Sequence, residues 1–81
     1  MKLIGTETSI ISLENVRRVD LLTSEDWHTS QGVPYVIKSY DILIHYEDNQ
    51  HAERIVCGNN KKGETMSKEY MDTIKAILAQ D

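Results

Sequence analysis

The segment Tyr35 to Glu47 constrains this chain more than any other. Tyr40, Ile42, Ile44 and Tyr46 fall on one side of an extended backbone, and Ser39, Asp41, His45 and Glu47 on the other. Leu43 alone interrupts the polar side. A period of two with one apolar face describes a strand that is dry on one side and wet on the other. Such a strand belongs to a sheet, and something else in the chain must cover its dry face. The pattern carries architecture and no chemistry.

What covers that face is legible further on. Tyr70, Met71, Ile74, Ile77 and Leu78 recur at three- and four-residue spacing, which predicts an amphipathic helix over roughly 67–79. Ser67 or Thr65 is the expected N-cap, with acidic Glu69 in the first turn. Met66 precedes the helix as a hydrophobic staple.

Between the N-terminus and this helix the expected elements are strands. Residues 2–4 and 8–13 read as one bent strand or a short pair. Leu13-Glu14-Asn15 reads as a tight turn, with Asn15 suited to positive φ. Val16 to Thr23 is a strand with Val19, Leu21 and Thr23 on one face. Ser24 to Pro34 is polar, contains Gly32 and Pro34, and reads as a long hairpin loop, beyond the two to five residues a tight hairpin needs. Asp48-Asn49 is the expected turn after the strong strand. Ala52 to Cys57 returns, with Ile55 and Cys57 inward. Gly58 to Gly63 reads as a connector.

These elements give an α+β fold: an antiparallel meander of three to five strands with one C-terminal amphipathic helix on one face, as a single domain over 1–81. The order of elements resembles that of small uncharacterised proteins of Gram-positive bacteria and their phages. The resemblance rests on the strand at Met1, the Ile-Ser-Leu-Glu-Asn-Val segment at 11–16, the Tyr-Asp-Ile-Leu-Ile-His-Tyr strand at 40–46 and the Ile-Lys-Ala-Ile-Leu helix end at 74–78. It implies a fold and assigns no activity or functional residue.

Composition narrows the classes. Nine basic residues stand against thirteen acidic ones, for a net charge of -4. That disfavours a general nucleic-acid binder, which needs a basic face to displace counterions. One cysteine, Cys57, precludes an intrachain disulfide and fits a reducing, cytoplasmic setting. No apolar run resembles a signal peptide or reaches the roughly 20 residues of a membrane span. A chain this short buries about 60% of its unfolded surface and gains from a partner subunit.

Each chemical constellation has a plainer reading. Gly58 to Gly63 has the glycine spacing of a phosphate loop, but Glu64 stands where that motif requires lysine. His28, His45, His51 and Cys57 lack metal-ligand spacing, so no metal or cofactor is expected. Cys57 has no partner base and reads as a small buried hydrophobe. The scattered carboxylates describe a solvated sheet face, so a non-enzyme is expected.

Trp27 is the most suggestive polar-segment residue. Folding back onto the domain is the expectation weighed first, and presentation to a partner the second. Leu43, Val56 and Ile37 lie on the wet sheet face. The resulting expectation is a non-catalytic protein-interaction or self-assembly module, a homodimer, with Trp27, Tyr35, Ile37 and Leu43 as contact residues. The alternative is an accessory nucleic-acid-associated protein using Arg17, Arg18, Lys61 and Lys62.

Overall fold

Tyr40, Ile42, Ile44 and Tyr46 form the floor of the core in the computed structural model, which describes residues 1–48 and 50–80. Ile42 and Ile44 are 0% exposed. Their strand lies in the middle of a three-stranded antiparallel sheet, order β3-β4-β5. Here β3 is Val16–Ser30, β4 is Val33–Tyr46 and β5 is Ala52–Asn59. A separate two-stranded sheet pairs β1 (Leu3–Gly5) with β2 (Ile10–Ser12). Helix α1 (Asn60–Leu78) closes the fold.

Among the described residues the meander therefore has five strands, split into two sheets. The split falls at the 13–15 turn. Asn15 takes a left-handed conformation, φ 60°, which asparagine tolerates better than most side chains. Its carbonyl accepts from the Glu47 amide at 2.9 Å. The chain turns sharply there, and Leu13 drops into the core beside Ile4 and Ile11. The β1–β2 hairpin thus plugs one end of the core and adds nothing to the main ladder.

On β5 the expected register holds. Ile55 and Cys57 point inward and are buried, while Val56 is 74% exposed. A bulge between Tyr40 and Asp41 lets Gly58 stand opposite Tyr40. Gly58 takes φ +114°, a conformation open to glycine.

The helix is longer than its apolar stripe suggests. It starts at Asn60 and takes in the stretch expected to be a connector. Asn59, and neither Ser67 nor Thr65, is the N-cap, and it makes no side-chain cap bond. The first turn contains no acidic residue, so Glu69 is not at the dipole's positive end; Lys61 and Lys62 sit near it. Ser67 is buried mid-helix and donates to the Glu64 carbonyl at 2.8 Å. Its place on the stripe with Gly63 keeps the N-terminal half of the helix close to the sheet. Ile74 is buried, and Tyr70, Met71, Ile77 and Leu78 pack around the core as the spacing predicts; Met66, expected as a staple before the helix, lies inside it and packs against the core from there.

Residues 24–34 are not a loop. Strands β3 and β4 continue through them and join at Gln31-Gly32. Both turn residues have positive φ, 52° and 79°, the signature of a two-residue type I′ hairpin. Pro34 stands opposite Thr29, one pair down from the turn. The turn's own hydrogen bond makes Ser30–Val33 a bonded pair, so the Thr29–Pro34 pair is the non-bonded kind. Proline's missing N–H therefore faces away from β3 and costs the ladder nothing. Of the other expected turn, Asn49 lies outside the described residues. Asp48 Oδ1 accepts from the amides of Gln50 and His51, at 3.1 and 3.0 Å.

The molecule measures 53 × 24 × 20 Å, with a radius of gyration of 15.0 Å. A compact chain of this length would have about 12 Å. The excess is the hairpin, which projects from the core.

Candidate interaction surface

Strand β5 stops opposite Ser39, where Asn59 is its last partner. Beyond that point β3 and β4 have only each other. The pairs Glu25–Lys38, Asp26–Ile37, Trp27–Val36, His28–Tyr35, Thr29–Pro34 and Ser30–Val33 make a two-stranded arm. At about 3.4 Å per residue it reaches some 20 Å from the sheet.

Two asparagines manage the transition. Asn60 Oδ1 accepts from the Lys38 amide at 3.1 Å, and Asn59 Oδ1 accepts from Ser39 Oγ at 3.1 Å. Where β4 loses β5 as a neighbour, these side chains take over part of its hydrogen bonding.

Alternation sorts the arm into two faces. Glu25, Trp27 and Thr29 share the helix side with Lys38, Val36 and Pro34. Asp26, His28 and Ser30 share the opposite side with Ile37, Tyr35 and Val33. Trp27 is 69% exposed and lies on the arm, not folded back as first weighed. The rings of His28 and Tyr35 stack at 5.5 Å and 21°. Val33 and Tyr35 are also exposed.

The open face of the sheet continues the second of these faces. Its rows across the three strands run Arg18–His45–Ala52, Asp20–Leu43–Arg54 and Leu22–Asp41–Val56. Asp20 Oδ2 accepts from Arg18 Nε at 3.1 Å and lies 3.1 Å from His45 Nε2. Arg54 Nε stands 3.8 Å from Asp41 Oδ2. Leu43 is hemmed in by these charges. The structure thus puts Tyr35, Ile37 and Leu43 on one face and Trp27 on the other. Sequence reasoning did not single out Leu21, Leu22 or Val33, all of them exposed.

The basic pairs do not converge. Arg18 stands opposite His45, whereas Lys61 and Lys62 follow Asn59, which stands opposite Ser39. His45 and Ser39 are six residues apart along β4, about 20 Å. One arginine of the first pair is already joined to Asp20.

The other candidates sit elsewhere. Gly58 and Gly63 pack against each other rather than framing a loop. His51 Nε2 lies 3.1 Å from Glu53 Oε1, and its ring meets Tyr46 edge-on at 4.8 Å. Among the described residues no three histidine, cysteine or carboxylate side chains gather at a metal-binding spacing. Burial, with the Asp41 carboxylate adding to it, pushes the Cys57 thiol up, away from the thiolate a nucleophile needs. An open cleft of about 630 Å³ lies between Ile10–Ser12 and Tyr46, rimmed by Glu14, Glu47, Asp48 and Glu53. A second, about 610 Å³, runs between the Thr6–Ser9 turn and β5. Among the described residues no helix is long and apolar enough to cross a membrane.

Comparison with family models, with curated proteins and with solved structures returns no match to this chain.

Proposed function

We propose that this protein is a non-catalytic self-assembly module that works as a homodimer through its β-ribbon arm. The observation that carries this reading is the arm itself. A two-stranded hairpin is marginally stable in water, because it has no layer to bury a face against. This one nonetheless extends six pairs beyond the third strand and displays Trp27, Val33 and Tyr35. Exposed aromatic groups on a projecting ribbon fit a surface that a partner covers.

The buried lone thiol suits a reducing, cytoplasmic setting. The arrangement of charge supports a protein partner over nucleic acid, since the two basic pairs lie at opposite ends of the sheet. Sedimentation equilibrium tests the reading. A dimer at tens of micromolar is expected; a clean monomer there removes it.

A further inference from the structure

We propose that a second copy of this chain pairs antiparallel with the outer edge of β3, about a two-fold axis through Leu22, to form a continuous six-stranded sheet. This rests on the self-assembly reading above and specifies its geometry.

The edges of the molecule are unequal. Along the arm, the free edge of β4 carries Pro34, which cannot donate, and Asn60 occupies the Lys38 amide. The edge of β5 faces the Thr6–Ser9 turn across a cleft. Strand β3 is a sheet edge along its 15 residues, contains no proline, and among the described residues has no neighbouring strand outside β4. An uncovered edge of that length is a template for a further strand.

Geometry then restricts the pairing. Ser30 bonds to Val33, so the even residues of β3 turn their backbone groups toward β4. The odd ones, from Val19 to Thr29, turn theirs outward. A two-fold axis perpendicular to the sheet keeps each side chain on its own face, so odd residues pair with odd and even with even. Both conditions hold only when the axis passes through a residue.

Charge and apolar matching together favour Leu22. With Leu22 on the axis, Arg18 faces the second copy's Asp26, and Asp26 faces its Arg18. Val19 faces Glu25, Asp20 faces Ser24, and Leu21 faces Thr23. Shifting the axis to Thr23 sets Asp20 against Asp26 twice, and shifting it to Asp20 sets Asp20 against itself; like charges directly opposite oppose pairing. Shifting it to Leu21 loses the Arg18–Asp26 match and sets Asp20 against Leu22. The Leu22 register also places two exposed apolar side chains, Leu21 at 43% and Leu22 at 37%, at the centre of the contact, one on each face. Each arm would then lie beside the core sheet of the other copy, which gives it the third strand it lacks.

The test is cysteine cross-linking combined with a charge exchange. Leu22→Cys occupies a non-bonded self-pair, where Cα atoms stand about 4.5 Å apart, inside the range of a disulfide. Mild oxidation should convert this variant to a covalent dimer, while Leu21→Cys and Thr23→Cys link poorly. Arg18→Asp should weaken the dimer about tenfold or more, and adding Asp26→Arg should restore it, with circular dichroism confirming the fold of each. A wild-type monomer in sedimentation equilibrium overturns both this pairing and the self-assembly reading. A wild-type dimer in which Leu22→Cys stays unlinked, or the charge exchange fails to restore association, overturns the pairing alone.

Discussion

Gly63 rests directly on Gly58: a Cβ on Gly63 would lie 2.2 Å from the Gly58 carbonyl oxygen and 3.0 Å from the Tyr40 ring. Helix and sheet meet here backbone to backbone, at the bulge that ends β5's regular pairing. Gly63→Ala cannot be relieved by a side-chain rotation, because the obstacle is main chain. We expect a loss of about 3 kcal/mol, the upper end of overpacking costs. Thermal unfolding should show a fall in Tm of more than 10 °C, at about 4–8 °C per kcal/mol for a domain this size.

Tyr46 ties the two sheets together. Its hydroxyl donates to the Ser12 carbonyl, and its ring is buried. Burial, and secondarily the Glu53 carboxylate, raises its pKa above the ordinary tyrosine value. A group raised in the folded state contributes stability that is present below its unfolded pKa and is lost as pH rises through the folded one. Urea unfolding should therefore show stability declining above about pH 10. Tyr46→Phe should cost about 1 kcal/mol at neutral pH and flatten that alkaline decline.

The N-terminus of α1 carries the wrong charge for its dipole. Lys61 and Lys62 occupy the first turn, and no acid accompanies them. Lys61→Glu should raise stability by about 0.5 kcal/mol at low ionic strength, with the gain shrinking as salt is added. Denaturant midpoints in low and high salt check this.

The arm should open independently of the core. Amide hydrogen exchange should show strong protection at Ile42 and Ile44 and much weaker protection at Tyr35 and Ile37, whose amides face β3, in dilute solution. Gln31→Asn, which favours the left-handed conformation that Gln31 adopts, should slow exchange in the arm while leaving the Tm nearly unchanged. Sequence position alone would not separate these groups of residues, since all four lie on one strand.

Cys57 should react slowly with alkylating agents in the native state. Its thiol is buried and its pKa raised, so both access and the thiolate fraction are reduced. Denaturant should accelerate the reaction by orders of magnitude.

The sequence was most readable where burial enforces periodicity. Ile42, Ile44, Ile55 and Ile74 each repeat at the spacing of their element, and each is buried. Readability failed where no core lies beneath the chain. From Ser24 to Pro34 both faces of the ribbon are solvated, so no apolar alternation marks it as strand, and its length disguised the Gln31-Gly32 turn. The helix start failed for a different reason. Asn60 and Gly63 have poor helix propensity, and tertiary contact overrides it through the close approach of Gly63 to Gly58. The exposed Leu21 and Leu22 were hidden because their strand looked complete without a neighbour.

Beyond the bond from Lys38 to Asn60, the ladder closed by the Gln31-Gly32 turn has no third strand beside it among the described residues, so the hairpin's length is uncoupled from the core. Adding two residues to each strand would carry the tip about 6.8 Å further out, keep its side chains on their present faces and keep Ser30–Val33 a bonded pair; adding one to each would put Pro34 in a bonded position, where its missing N–H faces β3. The reach of the tip can thus change in discrete steps while Ile42, Ile44 and Ile74 keep every neighbour they have. A fold this small has little room to vary its core, and this hairpin is where variation in its contact surface costs the fold least.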